Sequence, residues 1–298
     1  MTTVSVAVPR KGRPLEAVLE RIATSTDATA VADEIISTLR YEKAITKGNQ
    51  SSEAHVYDRL ADYSDVEDPT SPEYSLLRDD REGMPRRLVF DSVTIPTEMG
   101  DLRLIGREEP FRALRKHEFA LGFDSADLVL EEVVELRGGP LGDLAAVNER
   151  IDPMDTDVRL RTGLGDTVYH TLLATPEVAP SGDTLDRSFV DEYEGQVCIS
   201  PRYERLVEAV LGTDALDGLE FVYPAEGQTE EAAVADAGLG VYLTVTGSTA
   251  RDHGLVVGES LFPSETVLLE NASERSDASE AIASLLATED IETELQLA

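Results

Sequence analysis

Short apolar runs, each followed by a loop and then by apolar residues at helical spacing, constrain this chain more than any other feature. Residues 4–8 are a β-branched run, which predicts a strand. The loop Pro9, Arg10, Lys11, Gly12, Arg13, Pro14 follows. Leu15, Val18, Leu19 and Ile22 then recur at the period of one helix face. The alternation continues along most of the chain. It predicts strands over 86–90, 101–105, 119–123, 169–174, 197–199, 220–223, 241–245 and 267–270. It predicts helices over 111–117, 125–136, 203–211, 229–237 and 278–286, with Ser125 as an N-cap. Strands alternating with helices imply an α/β fold. The pattern restarts at residue 197, so two βαβ lobes with a central cleft are expected.

The expected boundaries follow from that restart. Residues 1–23 and 86–176 form the first lobe, with a C-terminal return over about 264–298. Residues 177–263 form the second, so the chain passes between lobes over 175–196 and near 264. Residues 24–85 change character. An Ala-rich helical stretch gives way to polar text around Lys47, Gly48, Asn49 and Gln50, and then to a segment containing Pro69 and Pro72. This reads as an insertion with one or two helices and an exposed loop. Residues 47–85 are expected to add little to the core.

Charge narrows the setting. There are 59 acidic and 26 basic residues, a net charge of −33. The acids are spread along the whole chain. Such a surface repels itself at ordinary ionic strength. In molar salt the screening length falls to about 3 Å. A halophilic, cytoplasmic setting is the expectation, and binding to nucleic acid phosphates, which needs a basic footprint, is not expected. No apolar run approaches the roughly 18 residues of a membrane span, and the N-terminus has no apolar signal core. The single cysteine, Cys198, sits between Val197 and Ile199 and reads as a small buried strand residue. His55, His117, His170 and His253 lack metal-ligand spacing, so no metal site is expected from them. Glu108–Glu109 and Glu131–Glu132 read as solvated faces, with Glu131 or Glu132 a weak candidate for a cleft carboxylate. No Walker loop, dinucleotide fingerprint or nucleophile elbow occurs.

The first loop carries the clearest local chemistry. Arg10, Lys11 and Arg13 place three cations within four residues, after a strand and before a helix. Loop amides and a helix start in that position suit an anion.

Beyond this local reading, six motifs in order resemble the ATP phosphoribosyltransferase family of histidine biosynthesis. They are VAVPRKGRPLEAVLERI at the start, RRLVFDS over 86–92, LRLIGREEPFRALRKHEFALGFDSADLVLEE over 102–132, TGLGDTVYHTLLATPE over 162–177, VCISPRYERL over 197–206 and TVTGSTARDHGLV over 244–256. The resemblance covers most of the chain outside 24–85 and looks like the short, catalytic-domain form of the family. It implies two α/β lobes, periplasmic-binding-protein-like (type II). It also implies transfer of phosphoribosyl from phosphoribosyl pyrophosphate to ATP, with Mg2+ as cofactor and a possible homo-oligomer.

Residue by residue, the resemblance assigns Thr246, Gly247, Ser248 and Thr249 to the loop that cradles the ribose 5-phosphate. It assigns Lys11, Gly12 and Arg13 to the basic loop, and Arg107 to a cationic substrate position. Phosphoribosyl pyrophosphate, ATP or AMP are the implied ligands. Departures accompany the matches. The family has an acid for the ribose hydroxyls where this chain has Tyr242, and a second acid where it has Gly238. Its Lys-Tyr-Pro passage reads Ser200, Pro201, Arg202, and its Gly-Ile-Thr-Gly reads Gly122, Phe123, Asp124, Ser125. No catalytic residue can be assigned on these motifs. Two function classes stay open: a phosphoribosyltransferase, and a non-catalytic or regulatory paralogue that binds a phosphorylated small molecule.

Overall fold

The computed structural model describes residues 2–65, 67–78, 86–179, 184–287 and 292–297. Its strands are β1 (Thr3–Pro9), β2 (Glu73–Arg78), β3 (Arg86–Thr97), β4 (Gly100–Arg107), β5 (Leu121–Ser125), β6 (Gly139–Asp143) and β7 (Val158–Gly163). The later ones are β8 (Val168–Ala174), β9 (Gly195–Ile199), β10 (Leu219–Val222), β11 (Leu239–Thr244), β12 (Val256–Ser264), β13 (Thr266–Asn271) and β14 (Glu292–Leu297). With the intervening helices they make a mixed α/β protein. By internal contacts the chain divides into two compact units. One holds Met1–Asp124, Thr156–Leu164 and Thr266–Glu289, and the other holds Ser125–Asp155, Gly165–Glu265 and Asp290–Ala298.

The first unit is built on a seven-stranded sheet in the order β2-β3-β4-β1-β5-β13-β7. β1 runs parallel to both of its neighbours, with Val6 opposite Leu104 on β4 and Leu121 on β5. Val6, Ala7 and Val8 are all buried, as an inner strand covered on both faces requires. The helix α1 (Gly12–Ser25) turns Leu15, Val18, Leu19 and Ile22 into the core, the four positions that its spacing marks in the sequence. Removing one such side chain from water contributes about 1.5–3 kcal/mol before entropy is counted.

The stretch expected as an insertion belongs to this same core. The helix α2 (Thr29–Thr46) buries Ala32, Ile35 and Ile36 in the cluster that holds Leu15 and Leu19, and Leu39 packs against it. Tyr74 on β2 is buried there too, and Leu60 and Tyr63 of the helix α3 (Val56–Tyr63) pack alongside. Glu42 is buried and takes Arg59 in a two-pronged ion pair, Nε–Oε1 2.6 Å and Nη2–Oε2 2.8 Å. The Tyr63 hydroxyl donates to the same carboxylate at 3.0 Å. Residues 28–76 are therefore structural. Their polar letters hid the positions 32, 35, 36 and 39, which lie on one helix face. Residues 79–85, also counted in the expected loop, lie outside the described residues.

The second unit carries a five-stranded sheet in the order β10-β9-β11-β8-β12, and β14 pairs with β6. β9 is parallel to β10 and to β11, whereas β8 is antiparallel to β11 and to β12. The expected boundaries need correction here. β8 and β9 share one sheet, so residues 175–196 link two strands of a single unit. The changes of unit fall after 124, 155, 164, 265 and 289, the fourth close to the expected position near 264. The antiparallel pairing of β8 with β11 and β12 draws it into the second sheet, and neither periodicity nor strand order could signal that choice.

Two helices in this unit cap each other. Glu131, at the end of the helix Ala126–Glu132, accepts the backbone N–H groups of Arg205 (3.3 Å) and Leu206 (2.7 Å) at the start of the helix Glu204–Leu211. The Arg205 guanidinium returns the favour by donating to the carbonyls of Leu130, Glu131 and Val134 at 2.7–2.9 Å. Glu131 thus caps a helix, and each end satisfies the other's orphan backbone groups. Ser125 occupies the N-cap position, but makes no side-chain cap bond; its hydroxyl lies 3.0 Å from that of Ser264. No described helix is long and apolar enough to cross a membrane.

Candidate functional site

The loop after β11 is where the second unit gathers its chemistry. β11 is buried from Leu239 through Tyr242 and comes to the surface at its end, where Leu243 and, just beyond the strand, Val245 are exposed. The strand ends at Thr244, and the chain turns through Val245, Thr246 and Gly247 into the short helix Ser248–Asp252. Gly247 takes the left-handed conformation, φ +66°, and a Cβ there would come within 3.0 Å of Val257. Only glycine makes this turn without strain. The Thr246 and Ser248 hydroxyls are 2.9 Å apart, the Ser248 N–H donates to Thr246 Oγ1 at 3.3 Å, and Arg251 donates to the Thr246 carbonyl at 2.8 Å. The loop is thereby held in one shape.

Thr246, Gly247, Ser248 and Thr249 all line a single pocket of about 200 Å³. Its other wall brings Glu230, Glu231 and Tyr242. The two glutamates open the helix Glu230–Ala237, whose first turn Thr229 caps by accepting from the Ala232 N–H. Negative charge at a helix start is favoured by the helix dipole. The Glu230 carboxyl is nevertheless pushed up from its ordinary value, by burial first and then by Glu231, while His170 pulls it the other way.

Tyr242 is buried, and its hydroxyl lies 3.6 Å from the Cys198 Sγ. Burial raises the phenol, with Cys198 adding to the effect, and burial likewise raises the Cys198 thiol. A buried thiol held in its neutral form matches the strand residue expected at Cys198.

His170, on β8, lies within the same unit. Its Nε2 is 3.0 Å from Asp127 Oδ2, and its ring stacks on Phe262 at 4.3 Å and meets Tyr203 edge-on at 4.8 Å. Burial alone would raise the Asp127 carboxyl, but the His170 imidazole and the Ser125 and Ser264 hydroxyls outweigh it and hold the group below its ordinary value. His117 is the chain's one described non-glycine residue with positive φ and lies 3.1 Å from Glu274 in the first unit.

The remaining sequence-marked residues sit in the first unit. Lys11 and Gly12 line a groove against α2, and Lys11 pairs with Glu108 at 3.1 Å. Arg13 stands in the first turn of α1. Arg107 ends β4, donates to the Gly106 carbonyl and lies over the Phe119 ring at 4.9 Å. The four loop residues 246–249 are thus brought together. Lys11 and Gly12 are joined by Arg40, Lys43 and Arg87, which sequence reasoning missed. It also missed Glu230 and Glu231.

The model of halobacterial ATP phosphoribosyltransferase matches residues 1–297. The chain belongs to this family. No curated protein sequence matches it. Among solved structures, the ATP phosphoribosyl transferase (HisG:HisZ) complex from Thermotoga maritima is similar at 12% identity and a TM-score of 0.42, covering 95% of this chain and 94% of that one. The arginine-bound truncated ArgBP of T. maritima has 13% identity and a TM-score of 0.37, covering 63% and 76%. The regulatory domain of MetR, a LysR family regulator from N. meningitidis, has 11% identity and a TM-score of 0.35, covering 64% and 85%.

Proposed function

We propose that this chain transfers a phosphoribosyl group from phosphoribosyl pyrophosphate to ATP or a related acceptor. A ring nitrogen of the acceptor attacks the ribose C1, and the C1–O bond breaks with its electron pair leaving on pyrophosphate. Membership of the family supports the reaction class. The observation that carries the reading to particular residues is the pocket that joins Thr246, Gly247, Ser248 and Thr249 to Glu230 and Glu231.

In this reading the small loop receives the ribose 5-phosphate, since amides and hydroxyls can approach an anion there without a side chain in the way. The glutamates accept from the ribose hydroxyls in place of the acid that Tyr242 replaces. Lys11, Gly12, Arg13 and Arg107 are assigned to the remaining phosphates, whose charge cations must stabilise as pyrophosphate leaves. Magnesium would arrive with the pyrophosphate. The pocket offers two carboxylates and several hydroxyls, oxygen donors of the kind this ion accepts, and it commonly binds through one or two carboxylates plus substrate phosphates.

Release of pyrophosphate on mixing ATP with phosphoribosyl pyrophosphate tests the reaction. Glu230→Gln should depress it by about tenfold or more, as the loss of a charge-assisted contact does. A protein that releases none, but is stabilised by either ligand, would be the binding or regulatory paralogue. Tyr242 favours that second reading, because a buried phenol engaged with Cys198 offers the ribose no carboxylate.

A further inference from the structure

Thr246, Gly247, Ser248 and Thr249 share their pocket with Glu230 and Glu231, and among the residues that line it there is no lysine or arginine. An anion that enters meets two carboxylates and no cationic side chain. N–H and hydroxyl donors must therefore hold it. The way the loop's peptide groups face decides whether the pocket attracts a phosphate or repels it. A carbonyl oxygen turned inward would add negative charge to a site that already carries two acids.

Arg251 bears on that choice without lining the pocket. It is exposed, lies on the short helix Ser248–Asp252, and reaches back to donate from Nη1 to the Thr246 carbonyl at 2.8 Å. In a planar trans peptide the carbonyl and the following N–H point in opposite directions. With the Thr246 oxygen held toward the guanidinium, the Gly247 N–H points away from it, and that N–H has no acceptor among the described residues. Gly247, at φ +66°, is also the residue that would let this peptide turn over, because glycine takes either sign of φ at little cost. A charge-assisted bond to one side of such a peptide biases it.

The helix that carries Arg251 is itself anchored. At its end the Leu255 N–H donates to the Ala250 carbonyl and the Gly254 N–H to the Arg251 carbonyl, both at 2.9 Å, with Gly254 left-handed at φ +76°. Ala250 and Leu255 are both buried in the core of this unit. The guanidinium therefore reaches from a fixed helix to the loop.

We infer that Arg251 is a positioning residue for the anion loop: by holding the Thr246 carbonyl, it turns the Gly247 N–H toward the phosphate of a phosphate ester in the pocket. This rests on the reading of the loop under Proposed function, and adds the residue that keeps the loop in its binding form. Because Arg251 acts through Thr246, its loss should appear in affinity for the phosphate end and leave folding alone. A further consequence separates this role from that of a cation that draws anions from a distance. Long-range attraction is screened in molar salt, whereas the orientation of a peptide is not.

Ribose 5-phosphate, titrated calorimetrically into the full chain at about 1 M and about 3 M KCl, tests the inference. Arg251→Met should weaken binding about tenfold at both salt concentrations, with the unliganded melting temperature unchanged. Arg251→Lys, which keeps a donor for the carbonyl, should recover most of that loss. The carbon-13 shift of the Thr246 carbonyl in the unliganded chain should move in Arg251→Met and return toward the parent value in Arg251→Lys. Binding by Arg251→Met equal to that of the parent would overturn the inference and leave the loop's own role intact. So would a loss that fades between the two salt concentrations, which would make Arg251 a distant charge. A loss accompanied by a lower unliganded melting temperature would make the bond merely structural, and would also overturn it. A parent chain that does not bind ribose 5-phosphate saturably would contradict the reading under Proposed function, and the inference with it.

Discussion

His170 Nε2 lies 3.0 Å from Asp127 Oδ2, with both side chains almost fully buried. An ionised carboxylate only accepts, so the imidazole donates through Nε2. Asp127 is held below its ordinary carboxyl value of 3.8. Its folded value lies below its unfolded one, so the stability it contributes is full above the unfolded value and is lost as pH falls through the folded one. Asp127→Asn should make the acid limb of the stability curve shallower below about pH 4 in chemical unfolding. His170→Ala should cost about 3–5 kcal/mol near neutrality, since it strands a buried carboxylate, and Asp127→Ala, which leaves a buried imidazole without its acceptor, about 1–3 kcal/mol. An acid limb unchanged in Asp127→Asn would remove Asp127 from the account.

The Glu42–Arg59 pair makes a sharper statement about residues 28–76. Arg59→Ala should destabilise the first unit by about 3–5 kcal/mol, since it strands a buried carboxylate beside Tyr63, whose phenol burial and Glu42 push up to about 12. A loss below about 1 kcal/mol would return this stretch to the status of an appended insertion.

Reciprocal capping by Glu131 and Arg205 predicts a charge-conserving failure. Arg205→Lys keeps the charge but cannot span the carbonyls of Leu130, Glu131 and Val134 with a planar fork. It should lose about 1–3 kcal/mol in denaturant melts, nearly as much as Arg205→Ala. Full rescue by lysine would mean that charge alone matters at this position.

Much of the fold was legible because its signals are local. Leu15, Val18, Leu19 and Ile22 mark one helix face, and the structure buries those four. The helix expected over 229–237 forms as Glu230–Ala237, with Thr229 as its cap. Failures arose where meaning is carried by distant partners. β12 is interrupted by Gly258 and Pro263 and meets β8 through two register shifts, so its text does not read as a strand. β7 alternates Val158 and Leu160 with Arg159 and Arg161, but is short and lies in a loop-like stretch. Glu230 and Glu231 could not be told from the other acids among 59. Lys43 and Arg87 belong to elements 44 residues apart and meet only once α2 docks on the sheet.

The charge of −33 predicts that stability rises with salt. Dilution lengthens the range over which like charges repel in the compact state, from about 3 Å in molar salt to about 10 Å at 0.1 M. Thermal melts across KCl concentrations should show a melting temperature that climbs toward molar salt. A flat profile would refute the high-salt setting.

The central claim is that the loop Thr246 to Thr249 receives the phosphate end of phosphoribosyl pyrophosphate. Calorimetric titration of that ligand into the wild type and Gly247→Val, at one fixed molar KCl concentration, tests it most directly. The wild type should bind saturably. The valine, at φ +66° and with its Cβ about 3.0 Å from Val257, should abolish binding, and Thr246→Val, which removes only a hydroxyl, should weaken it by about tenfold. Binding that is unchanged in both variants, or absent from the wild type, would contradict the claim.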